Sequence, residues 1–245
     1  MVKKGGRQQA PARRFYLTLG VIAFVGAVVL VYVLTRPPAP QLAQVIDPSA
    51  PLPDAEPYVA GDTTAPVRIQ EFADYQCPAC ASFAVLTEPD VRQRIVNQGL
   101  ASYHYYDFPL PQHRNSVPAS LAAACADEQG RFWEMHDRLY GGQDRWAFER
   151  NPKGVFEDFA RALGLDVGAW EDCYDDRRHL PRIQANSVLG QSIGVSSTPT
   201  FVINGRMVTG DIGYDQMRAL VDSAAATASR RGGVLGDTAV GASPR

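Results

Sequence analysis

Residues 67–83 read VRIQEFADYQCPACASF, and this stretch decides the fold. Val67, Ile69 and Phe72 form a short β-branched and aromatic run suited to a buried strand. The run breaks at Ala73-Asp74-Tyr75-Gln76 and resumes as a helix at Cys77-Pro78-Ala79-Cys80. Proline at the first helical position forfeits no hydrogen bond, because that N–H has no intrahelical partner. Cys77 therefore sits at the mouth of a helix, where unpaired N–H groups and the positive end of the dipole favour a thiolate. Cys80 lies one turn deeper on the same face, placed to attack a mixed disulfide formed at Cys77. A zinc site would need a second C-x-x-C or an H-x-x-x-H, and the sequence has neither. A structural bridge across so short a loop adds little stability. The pair is expected to be a redox dithiol that needs neither metal nor cofactor.

Around this stretch, 245 residues with 45% hydrophobic and 20% charged side chains suffice for one good-sized globular domain plus appendages. Residues 1–36 hold Lys3, Lys4, Arg7, Arg13, Arg14 and Arg36 and no acid, so the rest of the chain is acidic. An acidic main domain argues against nucleic acid as a partner. After a basic arm at 1–14, Phe15 to Leu34 reads FYLTLGVIAFVGAVVLVYVL, uncharged and long enough to span a bilayer. The apolar run exceeds that of a secretory signal, and no clean A-x-A site follows, so residues 15–35 are expected to be an uncleaved single-pass anchor. The excess of positive charge before the span places the N-terminus in the cytoplasm and the rest outside, where thiols meet an oxidising compartment. Residues 36–57 are proline-rich and expected to be an extended linker.

The domain is expected over 58–227. Leu100 to Phe108 reads as a second strand, parallel to the first, after a helix that Glu88-Pro89 interrupts and Gly99 stops. A helical insertion over about 113–195 follows, built from Ser116 to Asp127, Arg131 to Tyr140, Val155 to Leu163, Val167 to Tyr174 and Arg182 to Ile193. Thr200 to Ile203, the Asn204-Gly205 turn and Met207 to Thr209 form a hairpin, and Asp215 to Ala226 a closing helix. Residues 228–245 have little apolar content and are expected to be a disordered tail.

Four motifs in order, EF-x-x-x-x-C-P-x-C, FPL-x-x-H, CA-x-x-QG-x-FW-x-MHD and GV-x-x-TPTF-x-ING, resemble the DsbA-like branch of the thioredoxin superfamily. Membrane-anchored thiol-disulfide oxidoreductases of bacteria are the group that the chain looks like. The resemblance implies an α/β thioredoxin fold with an inserted helical lobe, preceded by one transmembrane helix. It implies that Cys77 is the exposed nucleophile, Cys80 the buried resolving thiol, and Glu71 a buried acid that relays the proton of Cys80, the competing reading being a Glu71 on an edge strand facing solvent. It makes Pro78, Ala79, Thr198 and Pro199 substrate-binding, with Thr198-Pro199 a cis-proline loop facing the dithiol. Ala79 departs from the histidine of the family's best-known strong oxidant, so oxidising strength does not carry over from the resemblance.

The implied function is donation of a disulfide to exported polypeptides with cysteine thiols, with recycling by a membrane redox partner, at the bacterial cytoplasmic membrane. A reductase or isomerase kept reduced by such a partner, and a tethered chaperone with a non-essential dithiol, are the rival readings. Cys125 and Cys173 fall on two predicted helices of the lobe, and a structural disulfide, two buried thiols and a second redox pair all fit them, the bridge best. His104, His113, His136 and His179 lack metal-ligand spacing, and His136 on its aromatic helix reads as a core histidine.

Overall fold

The computed structural model describes residues 54–237, the backbone alone from 231 onward, together with residues 16, 20 and 24–28. The chain divides into two units, Met1–Val45 and Ile46–Arg245. In the first unit, residues 16, 20 and 24–28 are helical. The arm at 1–14, the rest of the anchor at 15–35 and the linker up to residue 53 lie outside the described residues. Among the described residues no helix is long and apolar enough to cross a membrane.

The second unit is built on a five-stranded sheet in the order β1-β3-β2-β4-β5. The strands are β1 Tyr58–Ala60, β2 Arg68–Ala73, β3 Ser102–Asp107, β4 Thr200–Ile203 and β5 Arg206–Thr209. β2 and β3 pair in parallel, joined by α1 Pro78–Leu86, a short α2 Glu88–Val91 and a π-helical turn Arg92–Val96. The break at Thr87 and the wide turn follow from Pro89, whose ring and missing N–H disrupt a continuous helical ladder. All other pairings are antiparallel. The hairpin between β4 and β5 turns at Asn204 and Gly205, both with positive φ (46° and 88°), which is what a two-residue turn of matching twist demands.

Between β3 and β4 the chain leaves the sheet for six helices: α3 Ser116–Asp127, α4 Phe132–Gly141, α5 Gln143–Trp146, α6 Lys153–Ala162, α7 Val167–Asp175 and α8 Leu180–Ser192. Alternation along the strands feeds two cores. Ile69, Tyr103, Phe201 and Ile203 pack with Phe83 of α1 and with Met217 and Val221 of α9 (Tyr214–Asp237). On the opposite face Phe72, Tyr106, Phe108 and Val202 meet Leu189 of α8. Gly190 permits that approach, because a Cβ there would come within 2.6 Å of the Phe108 ring. The largest cluster joins the lobe to the active-site turn, uniting Tyr75, Cys77 and Cys80 with Met135, Leu139, Trp146 and Trp170.

Two boundaries differ from expectation. β1 pairs with β3 where the sequence shows only a three-residue run after a proline, too short for a periodicity signal. Helix α9 continues through residues 228–237, inside the stretch expected to be disordered. The helix enters this stretch already anchored by Met217 and Val221, so it extends an existing ladder and needs no new nucleus.

Candidate active site

β2 is the central strand and delivers the chain to Asp74, whose fully buried carboxylate builds the turn. Its Oδ1 accepts the Gln76 N–H at 2.7 Å, and its carbonyl accepts the Cys77 N–H at 3.0 Å. Cys77 occupies the N-cap position in extended conformation and Pro78 opens α1, so the free N–H groups of the first turn converge on the cysteine. Both cysteines are free thiols. Cys77 is only 7% exposed and Cys80 is fully buried, so the nucleophile is more enclosed than the exposed position expected of it. The covering parts come from far along the chain. Cys77 Sγ lies 3.4 Å from the Thr198 carbonyl oxygen, and Gln143 of α5 donates to the Tyr75 and Cys77 carbonyls at 2.7 and 3.2 Å. Pro78 is exposed and Ala79 half-buried beside them.

The two sulfurs are driven apart in acidity. A hydrogen bond from Cys80 is the first cause lowering the Cys77 thiol to about 5, opposed by burial and aided by Thr198 and by the Cys80 and Ala79 backbone N–H groups. The Thr198 hydroxyl is buried without another partner, free to turn toward a thiolate. Burial comes first in pushing the Cys80 thiol well up, and the bond it donates to Cys77 adds to this. The Thr198-Pro199 peptide is cis.

Glu71 lies in β2 between β3 and β4, in register with Tyr105 and Phe201, so the solvent-facing edge-strand alternative fails. It is 1% exposed and accepts a hydrogen bond from the Tyr103 hydroxyl. Burial, then the charge of Glu88, pushes its carboxyl well above the usual range. Beyond it runs a second buried chain. Tyr75 Oη meets His136 Nδ1 at 3.1 Å, His136 Nε2 meets Glu88 at 3.1 Å, and Glu88 pairs with Arg92 at 3.2 Å. His136 is thus a core histidine with both nitrogens partnered. Glu88, His136 and Asp137 cluster here, and Arg92 pairs with both acids.

Cys125 of α3 and Cys173 of α7 form a disulfide with Cα atoms 5.8 Å apart, both fully buried in the lobe. Trp170 packs beside it and donates its indole N–H to the Ala122 carbonyl at 3.1 Å. Several site residues escape sequence reasoning: Asp74, Gln76, Asn115 and Gln143. Gln76 donates to the Ala147 carbonyl at 2.6 Å and accepts the Asn115 N–H at 2.7 Å, stitching the turn to the lobe. Only Asp74 carried a local signal, a short acid in the turn between strand and helix.

A central parallel β-α-β unit, a hairpin, a cis-proline loop against a C-P-x-C helix mouth and an inserted helical lobe together define a thioredoxin fold of the DsbA-like kind. A family model described as thioredoxin matches residues 54–223, and the chain belongs to that family. Crystalline alpha-DsbA1 of Wolbachia pipientis has the same fold, with a TM-score of 0.65 at 20% identity over 74% of this chain and 96% of that one. Among relatives, disulfide bond formation protein D of Bacillus subtilis is 23% identical over 167 residues, covering 67% of this chain and 75% of its own length. The Na(+)/H(+) antiporter NhaA 3 of Salinispora tropica is 36% identical over 188 residues, covering 76% of this chain. The chain spans 28% of that antiporter's length.

Proposed function

We propose that the protein is a thiol-disulfide oxidoreductase that donates the Cys77-Cys80 disulfide to exported polypeptides bearing cysteine thiols. The observation that carries this reading is two free thiols at one helix mouth, Cys77 Sγ lying 3.4 Å from the Thr198 carbonyl oxygen before cis-Pro199, with Cys77 lowered to about 5 and Cys80 raised. In the oxidised protein a substrate thiolate attacks Cys77 Sγ, forming a mixed disulfide and releasing Cys80, which takes up a proton. A second substrate thiolate attacks the substrate sulfur of that bond, and Cys77 leaves as a stable thiolate. Two electrons pass from the substrate dithiol to the protein. In this scheme Glu71 relays the proton of Cys80, and Pro78, Ala79, Thr198 and Pro199 line the place where an extended substrate lies. The Cys125-Cys173 bridge is structural.

The relative named a disulfide bond formation protein supports this chemistry. The similarity to the antiporter covers 28% of that protein's length, so sodium–proton exchange is not carried over to this chain. The basic arm, the apolar run at 15–35 and the proline-rich linker at 36–57 support a domain tethered on the outer side of the bacterial cytoplasmic membrane. A membrane redox partner would return the dithiol to the disulfide there.

Equilibration with glutathione buffers tests the direction of electron flow. A Cys77-Cys80 disulfide more oxidising than the glutathione couple is expected. A potential as reducing as about −270 mV would instead make the protein a reductase.

A further inference from the structure

Asp74 does more than shape the turn. Its Oδ1 accepts from Gln76 N and Ser116 Oγ, and its Oδ2 from Leu110 N at 2.8 Å and His113 Nδ1 at 2.7 Å. Four donors occupy the two oxygens, so His113 carries a proton on Nδ1, and Nε2 is the nitrogen that gains or loses the second proton. The His113 side chain is 18% exposed, which leaves that proton in exchange with solvent. The Asp74 carbonyl accepts the Cys77 N–H, so one residue ties the imidazole to the nucleophile's own backbone. Ala79, between the two cysteines, brings no charge or side-chain donor of its own.

We propose that His113, locked onto Asp74 at the start of the active-site turn, is a positioning residue that supplies the positive charge stabilising the Cys77 thiolate. The inference rests on exchange at Cys77-Cys80 as the protein's chemistry. Asp74, from the turn between β2 and α1, holds the His113 ring, Ser116 of α3 donates to the same carboxylate, and the Cys77 charge bears on the imidazole. Its neighbour Arg114 is engaged elsewhere, with the Phe148 and Glu149 carbonyls at 2.7 Å. Of the other groups coupled to Cys77, Cys80 and Glu71 are both held toward their neutral forms by burial, and Thr198 is uncharged. The imidazolium is therefore the cation of this cluster. Its pKa is raised from 6.5, by the Asp74 hydrogen bond first and by the Cys77 charge as well, against burial. Because coupling is reciprocal, a thiolate stabilised by the imidazolium stabilises it in turn, and His113 keeps its second proton to higher pH in the reduced protein than in the oxidised one.

The test follows the His113 ring by NMR against pH in both redox states of the full chain. It also measures, in wild type and in His113→Asn, the thiolate absorbance of Cys77 against pH and the equilibrium with glutathione. Asparagine keeps a donor toward Asp74 and loses the charge. The expected results are a higher His113 midpoint in the reduced state and a thiolate midpoint raised by about one pH unit in the variant. The variant should also be less oxidising by roughly tenfold in the glutathione equilibrium constant. A His113 midpoint identical in the two redox states, or a variant whose thiolate midpoint and equilibrium match wild type, overturns the proposal. If the variant does not fold, the wild-type titration decides alone. A protein that never exchanges with glutathione yet shows the shifted thiolate midpoint sinks the oxidoreductase reading and supports the role of His113.

Discussion

The molecule holds two cysteine pairs, built for opposite purposes. Cys77 and Cys80 stand one helical turn apart at a helix mouth, among hydrogen-bond donors, an ion pair and a buried acid. Cys125 and Cys173 are separated by 48 positions and join two helices inside the aromatic packing of the lobe. A bridge across the short interval constrains the unfolded chain little, and one across the long interval constrains it strongly. The environment completes the division: hydrogen bonds lower one sulfur of the first pair while burial raises the other, and close packing seals the second. Sequence separation and local field, not the sulfur itself, decide which pair does chemistry.

The comparison breaks most directly by removing one pair at a time. Cys77→Ser should lower disulfide donation to a model dithiol peptide by on the order of 10³-fold or more, since it removes the nucleophile itself. Removing the other pair as Cys125→Ala with Cys173→Ala should leave that rate nearly intact. The double variant should instead lose ~4 kcal/mol of unfolding free energy in urea, the loop-entropy value for such a separation. Donation that collapses in the double variant while the fold survives would make the lobe pair part of the redox chemistry.

A third outcome separates the pairs by pH. The Cys77 thiol falls from an ordinary 9.0 to about 5 on folding. A depressed acid stabilises the fold fully above its unfolded value, and that contribution is lost as pH falls through the folded value. Only the reduced protein has this thiol. Reduced protein should therefore be more stable than oxidised protein by about 2 kcal/mol near pH 7, solvent screening taken into account, and the advantage should vanish near pH 4. Equal urea midpoints for the two forms near pH 7 would contradict the assignment of the thiolate.

Much of this division was legible in the sequence, and the reason is range. The C-P-x-C helix mouth, the strand before it and the Asn204-Gly205 turn are local chemistry, written in adjacent residues. The Cys125-Cys173 bridge was one of three open readings, because helix placement does not say which faces meet. Asp74 meets His113 across 39 positions and Gln143 meets Tyr75 across 68, contacts made by the insertion folding back over the turn. No periodicity encodes such polar contacts. The burial of Cys77 was missed for the same reason, since its cover comes from Thr198 and Gln143. The anchor at 15–35 is a separate matter, expected from hydropathy and falling mostly outside the described residues.

The smallest expected effect concerns Glu71. Its carboxyl is held toward the neutral form by burial and by Glu88, and its charge is among the influences that push the Cys80 thiol up. In the proposed relay, Glu71 takes up a proton when Cys80 must become a thiolate and returns it when Cys80 is released. Glu71→Gln preserves shape and keeps an acceptor for the Tyr103 hydroxyl, but it cannot ionise. Capture of a substrate disulfide by reduced Cys77 should proceed as before, because the helix mouth and Thr198 are untouched. Release of the mixed disulfide by Cys80 needs its deprotonation and should slow roughly tenfold. The Cys125-Cys173 pair lies outside this relay, so its resistance to reductant should not change. Stopped-flow resolution of the two steps decides the matter: release as fast as wild type would leave Glu71 a packing residue, and slowed capture would place its effect on Cys77 instead.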